Sequence, residues 1–144
     1  MPAKLSLKSR KNLRDNEAKR DEYLARIGAA TDKKDVVYEM DDAAVDEALN
    51  TARYTNRIGE ICYDKRLAEL TEKIEKLCAD EMTKEALNEA WTTNKIIFDV
   101  DPSNGVTGFH QHSKFADGNL VMMCKAEEIF TNIGEIGDEI EGQL

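Results

Sequence analysis

The chain of 144 residues reads as an α+β fold, mainly α: a helical bundle or hairpin packed on a small three-stranded antiparallel meander and closed by an acidic C-terminal helix. Three stretches carry that expectation. Asp41 to Asn94 runs 54 residues without a proline and is rich in Ala, Leu, Glu, Lys and Arg, all good helix formers. Lys95 to Cys124 turns to β-branched and aromatic residues interrupted by turn signals. Ile129, Ile133, Ile136 and Ile140 then recur at spacings of four, three and four, the period of one helical face. At this length one domain is the simplest division, with residues 1–20 as a basic N-terminal arm or helix start and residues 21–144 as a single, mainly helical domain whose meander lies near 95–124.

Taken in order, residues 5–27 predict a first helix with Leu13, Tyr23, Leu24 and Ile27 as its apolar positions. Its start is weak, because Leu5 and Leu7 alternate with polar residues, and the segment before Asn12 can equally stand off as an arm. Gly28 is the expected stop, since glycine takes the left-handed conformation after a last turn at no steric cost. Val36–Met40 either pairs as an edge strand or pins the next helix, and pinning is the expectation.

Asp41 is placed to cap a helix start, with Met40 packing across the turn onto Val45. Val45, Leu49 and Ala52 form one apolar stripe, and Tyr63, Leu67, Leu70, Ile74 and Leu77 form a second in another register. Fifty-four residues at about 1.5 Å each would make a rod of roughly 80 Å, whereas a compact chain of this length has a radius of gyration of only about 15 Å. The stretch must therefore break, unless it is a rod coiled on another chain. The breaks are expected at Gly59 and around Asp80–Thr83, with Thr83 capping a last helix that carries Leu87, Ala90 and Trp91. Glu69–Lys73, Glu72–Lys76 and Asp80–Lys84 are spaced for ion pairs along the solvated face.

Beyond Trp91, a core anchor or an exposed partner contact, Ile96, Ile97, Phe98 and Val100 predict a strand stopped by the turn residues Asp101-Pro102-Ser103-Asn104-Gly105. Val106–Phe115 predicts a second strand, Asp117-Gly118 a tight hairpin turn, and Leu120–Cys124 a third strand. So small a sheet needs a helix against it. In the tail, the isoleucine stripe is surrounded by acids and weakened by Gly134, Gly137 and Gly142, the pattern of a helix that orders only when docked.

The net charge of −9 hides an asymmetry: Lys4, Lys8, Arg10, Lys11, Arg14, Lys19 and Arg20 face only Asp15 and Glu17 in residues 1–20, a head of +5 that leaves −14 on the rest. An acidic body repels phosphate backbones and argues against the whole domain binding nucleic acid. The basic head can contact phosphates, although no aromatic residue before Tyr23 supplies a stacking platform. Leu, Ile, Val and Phe make up about a fifth of the chain, close to the roughly 20% below which highly charged chains stay disordered. A chain so poor in large aliphatics tends to complete its core against a partner or a copy of itself. Cys62, Cys78 and Cys124 are odd in number and widely spaced, which predicts a reduced protein of the cytoplasm. A viral or plasmid protein inside a host cell would look the same. No apolar run is long enough for a secretory signal or a membrane span.

Chemistry has few footholds. His110 and His112 share a face if they lie on a strand, and Cys124, Asp99 or Asp101 from neighbouring strands could complete a metal site. Asp99 to Gly105 imitates the opening of a calcium loop, but its glycine falls one place late, Pro102 intrudes and His110 stands where a bidentate Glu is needed. No phosphate-cradling glycine motif and no H-E-x-x-H occurs. The expectation is a non-enzymatic interaction or structural subunit of a larger assembly, homo-oligomeric or hetero-complexed, with no cofactor and no membrane. Its partner contacts are expected at Lys4, Lys8, Arg10, Lys11, Arg14, Trp91, Ile133, Ile136 and Ile140. The alternatives are a nucleic-acid-associated protein using the basic arm, and a small metal-binding protein or enzyme at His110 and His112.

Overall fold

A computed structural model describes residues 5–100, 113–124 and 136–144, with the backbone alone described at 124, 136 and 137. Among those residues the fold is α+β and mostly helical. Helix α1 spans Leu7–Thr31 and begins at Ser6, whose side chain accepts a hydrogen bond from the Ser9 N–H at 3.1 Å. Such a cap satisfies one orphan donor and is worth about 1 kcal/mol. The stretch that could have stood off as an arm is thus helix from Leu7 onward. Gly28 does not end it. Asp32 takes the left-handed conformation (φ 61°), and the Lys33 N–H closes on the Gly28 carbonyl at 3.1 Å. Aspartate is one of the few non-glycine residues that tolerate this geometry.

Strand β1, Val37–Glu39, pairs parallel with strand β2, Lys95–Val100. Val36–Met40 therefore contains an edge strand, contrary to the pinning expectation. Helix α2, Asp42–Thr51, is capped by Asp41 as its sequence predicts, with the carboxylate accepting from the Ala44 N–H at 3.1 Å. It buries Val45 and Leu49. The break that follows lies before Gly59. Arg53 turns left-handed (φ 72°), its N–H donates to Asn50 O and the Tyr54 N–H to Leu49 O, which closes the helix in a Schellman motif.

The chain is helical again from Ile58. It passes through a π-helical segment, Glu60–Arg66, into helix α3, Leu67–Cys78. The second stripe is buried as expected at Tyr63, Leu67, Leu70 and Ile74. Helix α4, Glu81–Ala90, starts where the second break is expected. Its cap is Asp80 and not Thr83: the Asp80 carboxylate accepts from the Thr83 N–H at 2.9 Å and from its hydroxyl at 2.7 Å. With that carboxylate engaged, Lys84 pairs instead with Asp32 at 2.6 Å. The expected Glu69–Lys73 and Glu72–Lys76 pairs do not form among the described residues, in keeping with the small energies of exposed pairs.

Strands β3, Ser113–Ala116, and β4, Asn119–Cys124, make the expected hairpin, with Asp117 (φ 54°) and Gly118 (φ 78°) both left-handed as a type I′ turn requires. The antiparallel meander does not stand. Among the described residues the sheet has four strands in the order β1-β2-β4-β3, and β2 runs parallel to β4. Parallel neighbours need crossover connections, and α2 through α4 supply the one between β1 and β2. The turn expected at residues 101–105 and most of the strand expected at 106–115 lie outside the described residues.

Ile96, Phe98 and Val100 alternate into the core and register with Leu120, Met122 and Cys124 on β4. They meet Leu49, Ile58, Leu67, Leu70, Ile74, Leu87 and Trp91 in one apolar cluster. Helix α1 lies along the helix of residues 58–78 in the same direction. Asn12 Oδ1 accepts from the Glu60 N–H at 2.9 Å, the Tyr23 hydroxyl donates to Asp64 at 3.0 Å, and Arg26 pairs with Glu75 at 2.6 Å. Gly59 sits at the closest approach: a Cβ there would meet the Asn12 carbonyl oxygen and lie 2.8 Å from Leu13 Cα. The C-terminal helix α5, Ile136–Gly142, docks on this same core through the fully buried Ile140. No helix among the described residues is long and apolar enough to cross a membrane.

Candidate functional site

The first three turns of α1 are fastened to the body by their polar side. The buried Ser9 hydroxyl donates to Asp46 of α2 at 2.8 Å, and Ser6 donates to Asn56 at 3.3 Å. Leu13 is buried on the same side. The opposite side is consequently held rigid and outward. Leu7, Arg10, Lys11 and Arg14 follow the i, i+3, i+4, i+7 pattern of one helical face, and all four are exposed. Among the described residues Lys8, Arg10 and Lys11 form no ion pair, and Arg14 reaches only its neighbour Asp15 at 3.5 Å, with both side chains about two-thirds exposed. Arg20, Arg26, Arg57, Lys84 and Lys95 pair with acids, whereas Lys19, Lys34, Arg53, Lys65 and Lys76 are likewise exposed without an ion pair among the described residues. The basic turns also stand at the positive end of the helix dipole with no acid in the first turn, an arrangement that costs stability.

Beside this stripe lies an acidic groove of about 660 Å³ at the end of the sheet, where Glu39, Asp41, Asp42 and Asp99 rim a floor of Tyr38, Tyr63 and Phe98. Phe98 and Tyr63 are mostly enclosed. Tyr38 stands edge-on to Tyr63 with ring centres 5.9 Å apart, and its hydroxyl donates to Cys62 O at 3.2 Å. Burial pushes the Asp42 carboxyl up, neighbouring Asp41 adds to the effect, and Arg20 opposes it. Burial likewise raises the Tyr63 phenol. A second groove of about 700 Å³, lined by Leu5, Arg10, Met40, Asp41, Asp42 and Ala43, shares three residues with the first. Arg10 of the stripe therefore shares a groove with Asp41 and Asp42 of the acidic rim.

The expected contacts divide. Lys8, Arg10, Lys11 and Arg14 are exposed together on α1. Trp91 is fully buried, with its indole N–H donating to Lys95 O at 3.0 Å and the Lys33 ammonium 4.8 Å above the ring. It anchors α4 on β2 and has no surface to offer a partner. Ile140 is buried within the chain's own core. Lys4 and Ile133 lie outside the described residues, as does the Ile136 side chain.

For the metal alternative, Asp99 is exposed on β2 and Cys124 ends β4 beside Val100. His110, His112 and Asp101 lie outside the described residues. Among the described residues no three His, Cys, Asp or Glu groups converge to hold an ion.

Sequence reasoning missed the acidic groove, because Asp99 joins Glu39, Asp41 and Asp42 only through the pairing of β1 with β2. It also missed the Ser9–Asp46 bond, which joins residues 37 apart in the chain. No family model matches this sequence, and no curated protein or solved structure matches it.

Proposed function

We propose that the chain is a non-enzymatic interaction subunit of a cytoplasmic assembly, held there through the face that carries the basic stripe of α1. The carrying observation is the stripe itself: Arg10, Lys11 and Arg14 are exposed on a helix locked to the body and lack acidic partners beyond the weak Arg14–Asp15 contact. Arg10 closes the first turn at the positive end of the dipole, where a cation costs the fold stability, and docking supplies compensating negative charge to the stripe.

Affinity capture tests this reading. Tagged chain at low ionic strength retains a stoichiometric protein companion, its own untagged copy included, and the triple variant R10E/K11E/R14E loses it while keeping its circular dichroism. Equal retention by both chains would sink the reading. Nucleic acid is the second reading, favoured by the same stripe but opposed by the carboxylates beside it, which repel a phosphate backbone. DNA retention that falls steeply with salt and disappears in the triple variant would promote it.

A further inference from the structure

We infer that the groove shared by Arg10, Asp41 and Asp42 binds a small zwitterion with an aliphatic body, of the class of a short free peptide. Its carboxylate meets Arg10 and its ammonium meets the two aspartates. The inference goes beyond the docking role and does not rest on it, since Lys11 and Arg14 of the stripe do not line this groove.

The groove measures about 700 Å³, within the roughly 300–1,000 Å³ of small-molecule sites. Leu5, Met40 and Ala43, each half-buried, give it apolar lining for an aliphatic body. The 2.8 Å bond from Ser9 to Asp46 ties α1 to α2. Arg10 follows Ser9 and Asp42 precedes Asp46 by one helical turn, so that bond fixes where the opposite charges stand. Among the described residues no ion pair joins Arg10 to Asp41 or Asp42. Opposite charges that line one groove without neutralising each other complement a ligand that carries both signs. A ligand of one sign is disfavoured, because an anion drawn to Arg10 meets the aspartates and a cation drawn to the aspartates meets Arg10. Asp42 is a second, independent observation. Its half-buried carboxylate accepts no hydrogen bond among the described residues, and burial pushes its pKa up. A desolvated carboxylate without a donor is costly, and a ligand ammonium supplies that donor.

Isothermal titration calorimetry with leucyl-leucine at pH 7 and low salt is the test, with its N-acetyl form, which lacks the ammonium, and its C-terminal amide, which lacks the carboxylate. The uncapped dipeptide is expected to bind saturably, and each cap to weaken binding at least ~10-fold, about 1.4 kcal/mol. The caps alter the ligand alone, so misfolding cannot produce that loss. In R10Q the amide cap is expected to cost nothing further, and in D41N/D42N the acetyl cap is expected to cost nothing further. Asparagine caps a helix about as well as aspartate, so the second variant keeps the start of α2. Methyl resonances of Met40 and Ala43 are expected to shift with the uncapped dipeptide. The assignment is overturned by absence of saturable binding, by equal binding of all three ligands, by dependence on one end alone, or by unmoved Met40 and Ala43 resonances. The docking role stands or falls separately, by the capture comparison of wild-type and R10E/K11E/R14E chains.

Discussion

Gly59 and Arg53 exchange the roles that their residue types suggest. Glycine costs a helix about 1 kcal/mol relative to alanine, which makes Gly59 look like a stop, yet its backbone is helical (φ −69°, ψ −43°) and buried. Its missing side chain is what lets α1 close on the helix of residues 58–78, because a Cβ there would fall 2.7 Å from the Asn12 carbonyl carbon. Gly59→Ala is therefore expected to destabilise the chain by about 1–3 kcal/mol despite the better helix propensity of alanine. Urea denaturation reads the sign, and a stabilised variant would mean that the close approach does not constrain the fold. The stop itself falls on Arg53, held left-handed at φ 72°, where an L side chain costs about 1–2 kcal/mol. Arg53→Gly should recover on the order of 1 kcal/mol, seen as a higher urea midpoint with an unchanged slope. Neither role was legible in the sequence, since one depends on a helix nearly fifty residues away and the other on the hydrogen bonds that close the turn.

Among the elements, α1, α3 and α4 are fixed by carboxylates whose protonation the fold resists. The Arg26 hydrogen bond holds Glu75 below the ordinary carboxylate range, Arg57 does the same for Glu60, and the Thr83 hydroxyl and N–H do so for Asp80. A depressed native pKa means that the unfolded chain binds protons more readily, so this stability is complete above the unfolded values near about 4 to 4.5 and is lost as pH falls through the native ones. Asp42, raised by burial, contributes the opposite trend. Melting temperature followed by circular dichroism should decline below pH ~4.5, and Glu75→Gln should flatten that decline; a profile unchanged by the substitution would remove the Arg26–Glu75 pair from the account. At this scale sequence reading served well where the signal is local. The cap at Asp41, the helix break near Asp80, the Asp117-Gly118 turn and the buried stripe from Tyr63 to Ile74 all lie where their patterns predict. It failed on strand order, which depends on pairings between segments distant in the chain.

For the whole molecule, charge segregation is the governing feature, with an acidic body that carries a basic face on its first helix. If the fold needed those cations, removing them would weaken it. Lys8 lies in the first turn of α1 without an ion pair among the described residues, so Lys8→Glu is expected to stabilise the chain by about 0.3–1 kcal/mol through the dipole. Thermal denaturation at low salt measures this, and a lower melting temperature would show that the basic turns serve the fold. The scarcity of large aliphatics foreshadowed an incomplete core, but what the described residues display is one apolar cluster in which even Trp91 and Ile140 are enclosed. The reason to expect a companion moves from missing apolar burial to unneutralised surface charge.

Read without its fold, the chain already settles its helical character, the helix start at Asp41, the hairpin and the imbalance between head and body, because periodicity, capping and turn chemistry act over a few residues and composition acts over all of them. Three things wait for the folded chain: the parallel pairing of β2 with β4, the close crossing at Gly59, and the meeting of Arg10 with Asp41 and Asp42 on one face. Each brings together segments far apart in the chain, set by how helices and sheet share a single core, and no local pattern encodes it.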